Sequence, residues 1–170
     1  MIHVAGSFER EYLFPAPRAA AFAYYANFPG IVPHLPQIAL TRTYRENQYR
    51  LAYTATELSL YHIKIYCDVQ VIPDRRAWRL RVQPLPGHPP VKSVSGLSST
   101  HAQGQYSSES IFHDEDGNTR IQYSLNLRAD LPTPLALALM PGALLDEIAQ
   151  TVTGWRMATI AEQFIQRTLA

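Results

Sequence analysis

The residues in this chain best suited to chemistry are its tyrosines. There are ten in 170 residues. Five of them, Tyr49, Tyr53, Tyr61, Tyr106 and Tyr123, fall on the apolar parity of segments that alternate with period two. Ser108 and Ser110 share that parity. A dry core would leave such hydroxyls short of partners, at roughly 1–3 kcal/mol for each one unpaired. Hydroxyls projecting into an apolar hollow are instead what a small-molecule site offers, since burial supplies affinity and a few polar tips set orientation. The competing reading is that the phenol tips reach water at the ends of a sheet. No acid, lysine or histidine shares the inward parity. No general acid–base pair is visible there, and no catalytic residue is assigned. A one-residue slip across a bulge would change this, because it would turn Glu109 and Ile111 inward in place of the two serines. An inward Glu109 would have a raised pKa and open an acid–base role.

Other reactive residue types do not assemble. His3, His34, His62, His88, His101 and His113 are scattered, with no metal-ligand spacing. Ser98, Ser99 and His101 are neighbours in sequence, which is not triad geometry. Cys67, the single cysteine, sits on the inward face and reads as a small buried hydrophobe. Asp114, Asp116 and Asn118 lack the remaining ligands of a calcium loop and read as a hairpin turn. No metal and no cofactor is expected. Arg10 lies on the apolar parity of its strand. It is either an edge or snorkelling side chain, or a cation at a pocket rim that anchors an acidic ligand group. Arg50, Lys64, Arg79, Arg81 and Arg120 share the outward parity, as a solvated face or as an anionic-partner patch.

These residues must be positioned by strands. Residues 3–14 alternate, with Phe8, Tyr12 and Phe14 on one side. A Pro-rich FPAP then leads into a short helix near Pro17, and FPGIVPHLPQI is a connection with one helical turn near 31–34. Period-two segments follow at 38–45, 48–56, 60–72, 75–83, 103–113 and 119–129, the last two joined by a turn at 114–118. Ile63, Ile65 and Trp78 join the tyrosines on the inward parity. The run 84–101 is a long loop with no periodicity, and 131–141 is a Pro-bracketed apolar linker. Both are candidate gates. Residues 141–168 predict a helix roughly 40 Å long. Leu144, Leu145, Ile148, Val152 and Trp155 occupy one arc, while Met157, Ile160 and Phe164 occupy another. The switch falls at Gly154. Either the helix is buried on different sides along its length and Gly154 lets a neighbour pack close, or it kinks there.

Composition narrows the functional classes. A chain of this length predicts one domain, residues 1–170, able to bury a large core. A net charge of +1 argues against nucleic acid as partner. The start MIHVAGSFERE has no apolar signal region, and no run approaches the roughly 20 residues that span a bilayer. Together with the lone cysteine, these features predict a cytoplasmic protein. Oligomeric state is not legible.

The order strand, short helices, six strands, long helix, with the segments Phe14–Phe28, Leu35-Pro36-Gln37-Ile38 and Tyr49-Arg50-Leu51, resembles the START / Bet v 1-like superfamily. This group is also called SRPBCC or polyketide-cyclase-like, and the segments resemble a branch of unassigned function found in cyanobacteria and plastids. The resemblance implies an α+β helix-grip fold, with a curved antiparallel seven-stranded sheet around a long C-terminal helix and short helices after strand 1. It also implies an apolar cavity between sheet and helix. Members bind lipids, sterols, polyketides or hormones, and some catalyse cyclisation or dehydration. The expected partner is a small hydrophobic molecule, lipid-, isoprenoid-, pigment- or polyketide-like. Its expected contacts are Arg10, Tyr49, Tyr53, Tyr61, Ile63, Ile65, Trp78, Tyr106, Ser108, Ser110, Tyr123, Val152 and Trp155. The alternatives are a cyclase- or dehydratase-type enzyme, or a module for a partner or a membrane surface with no ligand. Peripheral membrane contact would run through Leu135–Met140 if that segment is exposed.

Overall fold

The computed structural model describes residues 1–170. The alternating N-terminal segment forms β1 (Ile2–Phe14). Pro15 and Pro17 cannot donate to a strand ladder, so the strand ends and α1 (Arg18–Ala26) begins. A one-turn α2 (Phe28–Ile31) and a 3₁₀ turn at Val32–His34 follow. Then come β2 (Ile38–Arg45), β3 (Gln48–Glu57), β4 (Tyr61–Asp74), β5 (Arg79–Pro84), the two-residue β6 (Val94–Ser95), β7 (Ser99–Glu115) and β8 (Asn118–Leu131). A 3₁₀ turn at Leu135–Leu137 leads to α3 (Gly142–Leu169).

The main sheet path runs β1-β8-β7-β5-β4-β3-β2, with β6 attached to β7. The first and last strands pair along their whole length, from Ile2↔Leu131 to Phe14↔Thr119. The β7–β8 hairpin turns on Asp116 and Gly117, both at positive φ, as a two-residue loop of matching twist requires. All but one pairing is antiparallel. Short β5 is wedged between β4 and β7, and beyond its end β4 and β7 pair directly and in parallel, His62↔Ser99 to Cys67↔Gly104. That extra pairing draws β7 back to Ser99, four residues before the expected start. Register from Gly104 to Glu115 is unbroken against β8. Glu109 therefore points outward, where Arg79 lies 3.6 Å away, and Ser110 points into the core. The bulge that would have turned Glu109 inward is absent.

The helix α3 is continuous, and it corrects the expected stripe. Leu144 and Trp155 are exposed, whereas Leu145, Met157, Ile160, Ala161, Phe164, Ile165 and Thr168 are buried. The buried arc drifts around the helix instead of jumping to the opposite side. Where α3 crosses β1 the strand carries Gly6. A Cβ there would overlap Met157 Sδ and meet Thr153 Cγ2 at 3.1 Å. Gly6, not Gly154, is the close-approach glycine. A Cβ on Gly154 would meet nothing within 4 Å.

Aromatic side chains pack one end of the sheet–helix gap solid. Phe22 of α1 meets Phe112 at 5.3 Å and Trp78 at 5.6 Å, and Tyr25 meets Phe164 at 6.1 Å. The Tyr25 hydroxyl donates to Thr168 Oγ1 at 2.8 Å, tying α1 to the end of α3. Trp78, expected inside the β5 strand, instead precedes it. It sits in the left-handed region at φ 51° and stacks under Arg18. Tyr49 is stacked on Phe28 at 5.4 Å.

The outer face has a polar hub that parity alone would leave in water. Asp68 is buried. Its carboxylate accepts from Arg50 Nε at 2.7 Å, Arg50 Nη2 at 2.8 Å, Tyr44 Oη at 2.9 Å and Gln103 Nε2 at 3.3 Å. The loop after β5 folds over this hub. Leu85 N donates to the Asp68 carbonyl, Arg50 Nη2 donates to the Pro89 carbonyl, and His88 stacks on Tyr44. This first half of the expected lid is strapped to the convex face, away from the gap between sheet and helix. Nor is the outer row of cations a free stripe, since Arg50, Arg79 and Arg120 each face a carboxylate.

The two glycines should respond in opposite ways to a side chain. Gly154→Ala should raise stability by about 1 kcal/mol through helix propensity alone, while Gly6→Val should lower it by about 1–3 kcal/mol through overpacking. Thermal and urea melts of the two variants check this, and equal effects would refute the assignment. Burial alone would raise the Asp68 carboxyl, but hydrogen bonds from Arg50 and Tyr44 outweigh it and hold the group below its ordinary value. Its contribution is therefore present above the ordinary carboxyl range and lost as pH falls through the lower folded value. Asp68→Asn should cost about 3 kcal/mol at neutral pH, with the gap to wild type closing on acidification. A gap unchanged by pH would contradict the hub.

Candidate ligand-binding cavity

The other end of the sheet–helix gap is open space. A cavity of about 150 Å³ lies between the concave sheet and the first half of α3. Of its 26 lining residues 23 are hydrophobic, and the others are Glu57, Thr153 and Arg156. Strands β3 and β4 contribute Leu51, Tyr53, Tyr61, Ile63, Ile65 and Cys67. Strands β7, β8 and β1 contribute Tyr106, Tyr123, Leu125, Leu127, Ile2 and Val4. The roof is Leu145, Ile148, Ala149, Val152, Met157 and Ile160 of α3, and Leu35, Ile38, Leu58 and Leu137 close the ends. An apolar cavity of roughly this size holds a benzene-sized molecule and stays free of water.

Tyr53, Tyr61, Ile63, Ile65, Tyr106, Tyr123 and Val152 thus come together around one volume. The other expected contacts do not reach it. Arg10 emerges at the edge where β1 runs under α3 and pairs with Glu162 there, beside the Phe8 ring. Trp155 points away from the sheet into solvent, with the Arg156 guanidinium 4.8 Å over its ring. Tyr49 and Trp78 are spent in the aromatic packing. Ser108 and Ser110 lie beyond the cavity toward that packed end, so their small size leaves no ligand volume. Of the two expected gates, only the linker contributes, through Leu137 and through Leu131, which is the last residue of β8.

Two polar stations interrupt the apolar wall. At the mouth, Arg156 of α3 donates from Nε and Nη2 to the two carboxylate oxygens of Glu57, each at 3.0 Å. Both side chains are largely buried, and the carboxylate raises the already high pKa of Arg156. This fork joins the end of β3 to the helix across the gap. The Tyr53 phenol lies against it and is pushed up to about 12, chiefly by burial and then by the Glu57 charge. On the floor, the Tyr106 and Tyr123 hydroxyls are 3.4 Å apart. That is long for an O–H···O bond, and the Tyr106 hydroxyl also lies within reach of Ser108. Burial raises the pKa of each. The remaining phenol, Tyr61, donates to Thr100 Oγ1 at 2.7 Å and is satisfied within the protein.

Glu57 and Arg156 were missed from the sequence, although a signal existed. Glu57 continues the inward parity of Tyr49, Leu51, Tyr53 and Ala55 by one residue. Arg156 continues the spacing Leu145, Ala149, Val152 on the buried arc of α3. A charged residue at a core position on each of two elements points to a pair of opposite sign.

The arrangement limits the chemistry. Phenols with raised pKa values stay protonated at neutral pH, so they donate hydrogen bonds and are not bases. The one carboxylate on the wall is neutralised by Arg156, and no imidazole lines it. Cys67 is buried and its thiol is pushed up to about 12, which keeps it unreactive. No group of three or more His, Cys, Asp or Glu side chains is placed to hold a metal ion.

No family model and no curated protein matches the chain. Solved structures do. A protein of Thermus thermophilus, TTHA0849, is 17% identical with a TM-score of 0.55, covering 96% of this chain and 97% of its own. The Zhui aromatase/cyclase of Streptomyces sp. R1128 is 11% identical with a TM-score of 0.56, covering 96% and 93%. Truncated norcoclaurine synthase of Thalictrum flavum is 13% identical with a TM-score of 0.51, covering 99% and 96%. At such identities the likeness is one of fold. Nearly full-length superposition, a seven-strand path wrapped on a C-terminal helix and short helices after the first strand make this chain an α+β protein with a helix-grip fold, the fold of the aromatase/cyclase and the norcoclaurine synthase it superposes on.

Proposed function

We propose that this protein binds a small, largely apolar molecule that carries one hydrogen-bonding oxygen, in the cavity between sheet and helix. The observation that supports this most is the cavity wall, with 23 hydrophobic residues of 26 and the Tyr106–Tyr123 phenol pair at its floor. Burial supplies the affinity, at about 25 cal/mol per Å² of apolar surface. Tyr106 and Tyr123 then supply orientation by donating to the oxygen. A ring-sized molecule fits the volume as it stands. A sterol or diacyl lipid requires the mouth to open at Leu58, Leu137 and the Glu57–Arg156 fork.

A cyclase or dehydratase reading rests on the same phenol pair, which could polarise a carbonyl in a dry site. It lacks a base, because the only lining carboxylate is held in an ion pair. Binding is the reading with fewer unmet requirements.

Native mass spectrometry of the purified full chain should show a co-purifying apolar molecule or, after stripping, uptake of 2-naphthol. By calorimetry 2-naphthol should bind more tightly than naphthalene by roughly threefold to tenfold, the worth of one net hydrogen bond. The double change Tyr106→Phe with Tyr123→Phe should erase that preference while leaving naphthalene affinity intact. Ala149→Phe, which fills the roof side of the cavity, should abolish binding of both. Undiminished binding in Ala149→Phe would show that the ligand sits elsewhere.

Cys67 provides a second readout. In the folded protein its reaction with a soluble disulfide reagent at mildly alkaline pH should be slow, and it should be complete in denaturant. Saturating 2-naphthol should slow the folded-state reaction further. A thiol that reacts equally fast with and without ligand would argue against occupancy of this volume.

A further inference from the structure

The mouth of the cavity lies in a surface unlike the rest of the molecule. Leu58 and Leu60 in the β3–β4 turn, Leu97 before β7, and Leu135 and Leu139 after β8 are between 70% and 99% exposed. They come from three distant runs gathered at one end of the sheet. His62 N donates to the Ser98 carbonyl, and Leu135 N and Ala136 N donate to the carbonyls of Gly96 and Leu97. Thr100 Oγ1 donates to the Pro132 carbonyl. Leu58 belongs both to this crown and to the cavity wall, and Leu137 of the same linker lines the wall beside it. Leu58 and Ser59 are held at φ 51° and 61°, a region costly for a side chain like leucine, and this backbone presents Leu58 at the mouth.

Charge is absent from the crown and of both signs at its margin, with the cations in slight excess among the unpaired groups. Residues 58–61, 93–100 and 131–145 contain no Asp, Glu, Lys or Arg. Of the adjoining carboxylates, Glu147 on α3 is exposed and pairs with no cation, and the other three are occupied. Glu57 is held by Arg156, Asp130 by the His3 ring, and Asp146 accepts from the His3 backbone N–H. Lys64 and Lys92, which flank the same runs, pair with no carboxylate.

We propose that this leucine crown docks on a lipid bilayer bearing anionic headgroups, with the leucine tips entering the acyl boundary and the cavity mouth facing the membrane. A protein partner fits less well. Anchors of protein interfaces are enriched in Trp, Tyr and Arg, and leucine is under-represented among them. The exposed crown tips include no Trp and no Arg. Separate apolar tips on three loops need no complementary shape in a fluid acyl layer, and marginal lysines add attraction to anionic lipid. No helix of the protein is long and apolar enough to cross a membrane, so the contact is at the surface. The inference rests on this surface and not on the binding reading above, and the two are measured separately.

The test is co-sedimentation of the full chain with vesicles of equimolar phosphatidylcholine and phosphatidylglycerol. The protein should pellet with them, less so on phosphatidylcholine alone and less at high salt. Leu135→Glu with Leu139→Glu should lower partitioning roughly tenfold or more, with an unchanged thermal melt and unchanged 2-naphthol affinity. Leu13→Glu, an exposed leucine on the outer face of β1, should partition as wild type does. Wild type staying in the supernatant, or equal loss in Leu13→Glu, would overturn the proposal. So would a wild-type dimer in solution that Leu139→Glu converts to monomer, because the crown would then be covered by a second copy.

Discussion

The cavity depends on how far α3 is allowed to descend onto the sheet, and that distance is set at one edge. Gly6 carries no side chain, so the helix comes down on β1 until Met157 and Thr153 occupy the space a Cβ would need. Strand β1 is in turn zipped to β8 along its whole length. The helix is therefore anchored above β1 at one edge of the sheet, while the limb formed by β3 and β4 must curl toward it from the far side. A wedge of space is left, and its contents decide what the protein can do.

The two ends of that wedge are closed by different forces. Around α1 the closure is aromatic packing, where each ring pair contributes about 0.5–1.5 kcal/mol beyond burial. It is reinforced by the Tyr25–Thr168 hydrogen bond. At the other end the closure is the Glu57–Arg156 fork and a few leucines. A largely buried ion pair roughly breaks even against its desolvation cost. The fork fixes the distance between β3 and α3 without adding much net stability. The mouth is thus the softer end, and a molecule larger than the resting volume would enter there.

Much of this was legible in the sequence, and the failures have physical causes. Period-two alternation located every strand of the main sheet path, because one face of each strand is buried and the other is not. It likewise brought Tyr53, Tyr61, Ile63, Ile65, Tyr106 and Tyr123 to one face. Parity does not say where along the sheet a side chain lies, and there Ser108, Ser110, Tyr49 and Trp78 were misplaced. The concave face is shared between a packed half and an open half, and only tertiary placement of α1 divides them. The helix was misread for a related reason. Leu144 and Trp155 are apolar yet exposed, so an arc drawn through them pointed away from the true buried face. Arg156 sits on that face, and hydrophobicity alone ruled it out. A charged side chain is tolerated there only because β3 delivers Glu57 opposite.

Tertiary partners also explain the long run after β5. A stretch of this length without periodicity resembles a lid, yet its backbone groups find fixed partners on the convex face: Pro89 with Arg50, Leu85 with Asp68, Val91 with Gln103. These partners are distant in sequence, so no local pattern could announce them. What immobilises a loop is the satisfaction of its polar groups, and length says little about that. The β3–β4 turn presents the opposite case. It is only a few residues long, holds Leu58 and Ser59 in left-handed backbone, and is tied across the gap chiefly by the fork at Glu57. A short turn that stores strain beside a near-neutral ion pair opens at lower cost than a long loop strapped to a buried carboxylate.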